Sequence, residues 1–489
     1  MGARTGQEYV ERLAQTRPTI EINGERVAGP VTEHPALVGI VRSYAELYDL
    51  QHDPELRDVL TYESPSSGER VGTSFLVPRN ADDLAKRRAG FKAWADYSLG
   101  TLGRTGDYLN SALMALSQAA PWFAQADARF ADNIQAYYEK VRDEDLLTTH
   151  TVIPPQANRA AGLAQQVDGR SLGTHVVGED DNGIVVRGAR MLATIGPIAD
   201  ELLVFPSTVL KATPDDAPFS FAFAINCDAP GLRFICRENL DYGRNHPLGG
   251  RFDEIDAVVV FDDVHVPWER VFLHGQPELC NSFYTDTSAV VHMTHQVTAR
   301  TTAKAEAFLG LMSLMTEAIA IEQFTNVQED LAEAIAIVSI LRGLVRVAES
   351  DAAPNEFGVF TPAWEPLNTA RNWFPKVSQR LPEIVRTFGA SGLMATPTEA
   401  DIAGSAKEDI ERYLQSAALS GPERVRLFRL AWDFSVSSFA GRQTLYEYFF
   451  FGDPVRMAGA FLKATDREPY KARVRSFLDR VTEGEPVTV

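Results

Sequence analysis

The sequence predicts an α+β protein, mostly α, built as a helical part, a β part and a second helical part in that order. Two changes of hydrophobic period carry this prediction: apolar residues recur every three or four positions to about residue 150, alternate through about residue 280, then return to helical spacing. The third observation is size. A chain of 489 residues, 45% hydrophobic and 23% charged, buries ample core without disulfides or structural metals. The expected domains are residues 1–150 (helical), 151–280 (an antiparallel β-barrel or sandwich) and 281–489 (a helical bundle).

In the first part, Tyr108 to Ala126 and Phe130 to Val141 show the helical spacing. In the second, Thr174 to Gly178 and Gly183 to Arg187 flank Asp180-Asp181-Asn182-Gly183, and an Asn-Gly pair between β-rich runs predicts a hairpin. Glu201 to Phe205, Phe219 to Asn226, Leu232 to Arg237 and Ala257 to Phe261 are further strands, and their unbroken succession argues against βαβ units. In the third part Phe308 to Phe324, interrupted by Glu317 and Glu322, is too short and too charged to span a bilayer and reads as a buried core helix. Leu331, Ile335, Val338, Leu341 and Val345 fall on one helical stripe. Ser420-Gly421-Pro422-Glu423 starts a helix with a capping box, and that helix can run to Gly452, where Asp453-Pro454 stops it.

Composition excludes several functions. With 47 basic against 66 acidic residues the net charge is −19, which disfavours nucleic-acid and anionic-membrane binding. Cys227, Cys236 and Cys280 are too few for a disulfide framework or a four-thiolate cluster and fit a reducing compartment. The opening residues MGARTGQEYVERL lack a signal-peptide layout, and Gly6 stands where a myristoylation motif needs Ser or Thr, so a cytoplasmic location is expected. No G-x-G-x-x-G follows a strand and no G-x-x-x-x-G-K-[ST] occurs, so the usual nicotinamide and nucleotide cradles are missing. Phe388-Gly389-Ala390-Ser391-Gly392 has the wrong spacing for a nucleophile elbow, and His292 and His295 read as helix-packing histidines rather than ligands. No metal is expected.

Three stretches point to chemistry: GRTGDY from Gly103, THTVIPPQANR from Thr149 and RGARMLAT from Arg187. Together with FDDVHVPWERVFL near Phe261, HMTHQV near His292 and GRQTLYEYFFFGDPVR near Gly441, they resemble the oxygenase components of the 4-hydroxyphenylacetate 3-monooxygenase family, in order and over nearly the whole chain. The resemblance implies an acyl-CoA dehydrogenase-like fold and a two-component flavin monooxygenase. A separate NAD(P)H:flavin reductase would supply reduced FAD, which with O2 gives a C4a-hydroperoxyflavin that hydroxylates a phenol ortho to its hydroxyl. It also implies a homo-oligomer, expected to be a tetramer because the bundle's apolar faces need covering.

Phenol hydroxylation needs a group to accept or orient the phenolic proton and a cation to stabilise the charge left behind. By resemblance, Arg104, Tyr108 and His150 meet the phenol end of the substrate, and Arg104 and Tyr108 would share a face if the segment from Gly103 is helical. Ser207 and Thr208 match a carboxylate-binding pair. His150, Thr151, Val152, Gln156, Asn158, Arg159 and Thr194 match flavin contacts, with the Thr194 hydroxyl beside the flavin N5, and Ala440, Gly441, Arg442 and Gln443 match the C-terminal ones. The loop Lys211 to Pro218 lies where relatives differ in substrate, so a free 4-hydroxyphenylacetate-like phenol, a phenylpropanoid and a carrier-tethered tyrosine derivative all stay open. An acyl-CoA dehydrogenase-like flavin oxidoreductase is the alternative class.

Overall fold

Three of the N-terminal helices begin where short polar side chains satisfy free backbone N–H groups. In the computed structural model, which describes residues 2–208, 210–211 and 213–482, Thr5 forms a capping box at the start of α1 (Gly6–Gln15). Ala212 of the 211–218 loop and residues 483–489 lie outside the described residues. Helix α2 spans Val38–Leu50, and Asn80 and Asp127 cap α3 (Ala81–Tyr97) and α5 (Ala128–Asp143). Between them, α4 (Gly106–Gln118) ends earlier than the apolar spacing to Ala126 suggested. Pro121 lacks the N–H needed to continue α4, and Ala120–Phe123 forms a separate turn.

The β part holds two facing sheets. The first has strand order β2-β1-β8-β9-β5-β4, with β1 (Thr19–Ile22), β2 (Glu25–Arg26), β4 (His175–Asp180), β5 (Gly183–Thr194), β8 (Leu232–Cys236) and β9 (Asp256–Pro267). The second runs β10-β7-β6-β3, with β3 (Thr148–Thr151), β6 (Glu201–Val204), β7 (Phe221–Asn226) and β10 (Val271–His274). The predicted hairpin joins β4 to β5, but its two-residue turn is Asp181-Asn182, and Gly183 already belongs to the strand. The Asp180 carboxylate accepts from both Asn182 N and Gly183 N, and a Cβ on Gly183 would collide with the Val266 carbonyl.

Two pairings are parallel rather than antiparallel: β1 with β8, and β3 with β6. Both involve strands from the N-terminal 151 residues, which reach the sheets over long connections that permit parallel pairing. Strand β3 straddles the expected boundary at residue 150, so the N-terminal segment contributes to both sheets.

In the C-terminal part, α6 (Pro277–Asp286) leads into α7 (Ala289–Ala318), which is buried nearly all round by α3, α4, α8 (Thr325–Ser350), α9 (Trp364–Val377), α10 (Arg380–Met394) and α11 (Gly421–Ser435). The segment Phe308 to Phe324 is therefore not one core helix: α7 ends at Ala318, and Leu314 on its last turns is 54% exposed. On α8 the buried face runs through Val327, Ala334, Ile337, Val338, Leu341, Val345 and Ala348, leaving Ile335 52% exposed. Small Ala334 and Ala348 let the neighbouring helices approach, which shifts the buried face away from the stripe expected from large side chains alone.

The capping box at Ser420 forms, but the helix that was expected to reach Gly452 breaks after Ser435. Ser437 accepts from Ala440 N at 3.2 Å and starts α12 (Ser438–Phe449), while Arg386 donates to the freed Ser435 carbonyl at 2.8 Å. Helices α13 (Pro454–Ala464) and α14 (Glu468–Thr482) end the described chain.

Candidate active site

Arg104 and Tyr108 meet, though not as two residues on one helix. Thr105 is the N-cap of α4, so Arg104 lies before the helix and its guanidinium folds back over the Tyr108 ring, 4.5 Å from the centroid. Phe450 stands 4.3 Å from the same guanidinium, and the Tyr446 hydroxyl accepts from Arg104 at 2.8 Å. Three aromatic rings thus surround one cation. A Cβ on Gly103 would collide with the Tyr446 ring, so only glycine lets α12 approach this closely.

His150, in the middle of β3, lies against Tyr108 with ring centroids 5.8 Å apart and against Phe205 at 6.0 Å. It is 8% exposed, and among the described residues its Nδ1 has no hydrogen-bond partner. Burial, reinforced by the Arg104 charge, holds its pKa well below the ordinary histidine value, so the imidazole is neutral. Burial likewise raises the Tyr108 phenol, opposed by Arg104, Arg300 and Arg371, so that hydroxyl stays protonated. The site therefore offers a fixed cation, a neutral donor and an unpartnered neutral imidazole.

Behind Arg104 lies a buried charge network that the sequence reading missed. Glu254, fully buried, accepts from Gly103 N at 2.8 Å and Arg104 N at 2.6 Å through one oxygen and from Arg442 at 2.9 Å through the other. Asp256 accepts from Arg442 at 3.0 and 2.9 Å, from Arg237 at 2.9 Å and from the Thr194 hydroxyl at 2.8 Å. Despite burial, these partners, Arg442 foremost, hold the Asp256 carboxyl far below the usual range. All three guanidinium nitrogens of Arg442 thus point at carboxylates. A carboxylate alternation, Glu254-Ile255-Asp256, at the edge of an apolar strand was the available sequence signal.

A second network fixes α12. Glu447 takes a bidentate ion pair from Arg300 at 2.6 and 2.9 Å and accepts from Lys304 at 2.8 Å. Gln443 accepts from Lys304 at 2.6 Å and donates to the Thr101 carbonyl at 3.0 Å. Arg300 and Lys304 together hold the Glu447 carboxyl down to about 2, while burial pulls Lys304 down to about 8. Nearby, burial pushes the Asp107 carboxyl up to about 6 against hydrogen bonds from Thr105 and Gln296.

The remaining candidates spread around this centre. The Thr151 hydroxyl donates to the Met191 carbonyl at 2.9 Å, and the Val152 carbonyl accepts from Arg190. Gln156, Asn158 and Arg159 are exposed on the loop that leaves β3, where the Asn158 side-chain oxygen accepts from Ala160 N at 3.1 Å. Ala440 is buried, and Gly441 faces open space on the side where a Cβ would stand. Ser207 is 8% exposed and Thr208 half-buried, at the end of the β6 chain past Phe205. Beyond them Asp216 closes the 211–218 loop by accepting from Lys211 N at 2.6 Å, and Asn281 pins Leu210 with paired hydrogen bonds of 2.9 Å.

Against known families, residues 5–273 match the model for the 4-hydroxyphenylacetate 3-hydroxylase N terminal part and residues 280–479 that for its C terminal part. The chain is 48% identical over 482 residues to the 4-hydroxyphenylacetate 3-monooxygenase oxygenase component of Geobacillus sp. (strain PA-9), covering 98% of this chain and 97% of that protein. It is 48% identical to the corresponding protein of Thermus thermophilus, covering 97% of each. A crystal structure of such an oxygenase component complexed with FAD and 4-hydroxyphenylacetate superposes with a TM-score of 0.93 at 47% identity, over 98% of this chain and 99% of that one.

Proposed function

The chain belongs to the 4-hydroxyphenylacetate 3-hydroxylase family, and from that premise we propose how its own residues carry out the reaction. It is the oxygenase component of a two-component monooxygenase, FAD-dependent and directed at a phenol, with 4-hydroxyphenylacetate as the substrate. Reduced FAD, delivered by a flavin reductase that draws on NAD(P)H, supplies with O2 the electrophilic oxygen atom. The observation that carries the assignment of roles is the unpartnered Nδ1 of neutral His150 beside Tyr108 and Arg104.

A phenol has one oxygen that both donates and accepts. His150 accepts its proton, while Tyr108 and Arg104 donate to the same oxygen. An imidazole of low pKa suffices as base because attack on the ring places positive charge on the phenol, which makes its proton strongly acidic at that moment. The oxygen adds ortho to the hydroxyl as its O–O bond breaks and His150 takes the phenolic proton, leaving a neutral dienone. The displaced ring proton would go to the oxygen left behind by that cleavage, and Arg104 and Tyr108 hold the negative charge that returns to the phenolic oxygen until His150 gives its proton back. Ser207 and Thr208 receive the carboxylate as neutral short donors. Aromatic rings of Phe205, Phe450 and Tyr446 exclude water from the reacting face.

The donor set also fits FAD. Gln156, Asn158 and Arg159 are exposed on one loop, where their amide and guanidinium groups can meet ring carbonyls and phosphates. The Thr194 hydroxyl, held on Asp256, would face N5 of the bound flavin. Arg442 acts through the Glu254 and Asp256 carboxylates it already holds. Among the described residues helices α13 and α14 contribute no buried side chain, with Val455 81%, Tyr470 64% and Phe477 57% exposed, which supports a homo-oligomer, taken as a tetramer, in which they pack on another copy. No helix of the described residues is long and apolar enough to cross a membrane, and all three cysteines are free, consistent with a reducing cytoplasm.

Single-turnover mixing of protein-bound reduced FAD with oxygenated buffer and 4-hydroxyphenylacetate tests the reading. The expected result is one 3,4-dihydroxyphenylacetate per flavin. Hydrogen peroxide with no dihydroxy product would overturn it.

A further inference from the structure

We propose that Asp256 makes this site selective for reduced over oxidised flavin by fixing the Thr194 hydroxyl as a hydrogen-bond acceptor. The inference rests on the reading above that Thr194 faces N5. A threonine hydroxyl has one proton to donate and lone pairs to accept with. In this structure that proton is committed to Asp256, an acceptor 2.8 Å away whose two oxygens are also held by Arg442 and Arg237. An ionised carboxylate has no proton to return, so the hydroxyl can offer a ligand nothing but lone pairs. Reduced flavin carries a hydrogen on N5 and satisfies them. Oxidised flavin has a bare N5 lone pair and meets the hydroxyl as acceptor against acceptor.

The backbone around this pair is strained. Ile195, next to Thr194, has φ +59°, and Ile255, between Glu254 and Asp256, has φ +27°; both are β-branched and buried. Left-handed isoleucines are costly and persist only where surroundings enforce them. Here Ile195 N donates to the carbonyls of both Glu254 and Ile255 at 3.0 Å, which ties the end of β5 to the residues that enter β9. That tie brings the Thr194 hydroxyl onto the Asp256 carboxylate. The same carboxylate shares Arg442 with Glu254, which holds the Gly103 and Arg104 N–H groups, so the flavin-side hydroxyl and the phenol-side cation hang on one rigid network. Asp256 is a positioning residue in this scheme, acting on the ligand through Thr194.

The test is a pair of anaerobic titrations of the full-length protein, with oxidised FAD and with dithionite-reduced FAD, in wild type, Thr194→Val and Asp256→Asn. Wild type is expected to bind reduced FAD more tightly. Thr194→Val removes the acceptor, weakening reduced FAD and relieving the lone-pair clash with oxidised FAD, so the preference for reduced FAD falls about tenfold, equivalent to about 30 mV in the two-electron potential of the bound flavin. In Asp256→Asn the amide can donate to Thr194 and free its proton for a bare N5, so the preference for reduced FAD shrinks about tenfold or reverses. If Thr194→Val changes neither affinity, Thr194 does not meet N5 and the underlying reading fails. If Thr194→Val weakens reduced FAD while Asp256→Asn keeps the wild-type preference, the role of Asp256 is overturned and the reading survives. Should Asp256→Asn not fold, Asp256→Glu, which keeps the charge for both arginines but displaces it from Thr194, is judged by the same ratio.

Discussion

His150 occupies an environment that its position in a short polar strand does not suggest: it is buried, and among the described residues its Nδ1 has no partner. Thr149 and Thr151 on either side turn their hydroxyls to backbone carbonyls of β5, leaving the imidazole alone in an aromatic pocket. His150→Ala is expected to lower dihydroxy product formation about 10²-fold while flavin oxidation continues, checked by the ratio of product to oxygen consumed. Because burial keeps the imidazole neutral, its protonation does not produce an acidic limb near pH 6.5, and the wild-type hydroxylation rate should hold steady from pH 8 to pH 6 as far as His150 governs it. Arg104→Ala removes the cation from the cage of Tyr108, Tyr446 and Phe450 and is expected to weaken phenol binding by about 2 kcal/mol, roughly thirtyfold, in an equilibrium titration.

Two helices carry charge inward at their own level. On α12, Glu447 is buried between Arg300 and Lys304 of α7, and removing it leaves two unpaired buried cations. Glu447→Ala is expected to destabilise the fold by about 3–5 kcal/mol, read by urea denaturation. Because the same helix carries Tyr446, reduced-FAD and phenol affinity should fall along with it. On α7, His292 accepts from Arg87 at 3.0 Å, and burial with that neighbouring charge keeps it neutral, its pKa well below the ordinary value. The unfolded chain binds a proton there as pH falls through about 6.5 and the folded chain does not, so stability is unaffected above that pH and is lost below it. The slope is about 1.4 kcal/mol per pH unit for each such histidine. His292→Gln should flatten the decline between pH 6.5 and 5.5 by one proton's worth in urea melts at stepped pH.

The whole molecule gathers one site from all three parts of the chain: α4 and the turn before it, strands β3, β5 and β9, and the distant helix α12. Its last two helices fold away from that site with their apolar sides uncovered. Deleting residues 453–489 is expected to lower the oligomeric state measured by light scattering, since the exposed Val455, Leu462, Tyr470 and Phe477 would no longer reach another copy. An unchanged mass would assign the oligomer contacts to other faces, such as the outer side of α8 with Ile335 and Val347.

By itself the sequence determined the succession of helical, β and helical parts, the β4–β5 hairpin and the capped start of α11, because each rests on local period, turn residues or caps within a few positions. Its ordered motifs also pointed to the family and to Arg104, Tyr108 and His150. Only the tertiary structure decided how these meet. Arg104 reaches Tyr108 by folding back before a helix rather than along one, and the long helix from Ser420 breaks at Ser437 because a side-chain cap there outweighs continued helix. Glu254, Asp256 and Glu447 look in the sequence like ordinary surface acids. Their burial depends on Arg442, Arg237, Arg300 and Lys304 arriving from elements up to about two hundred residues away, so beyond the carboxylate alternation at Glu254 and Asp256 the local sequence holds no trace of the pairing.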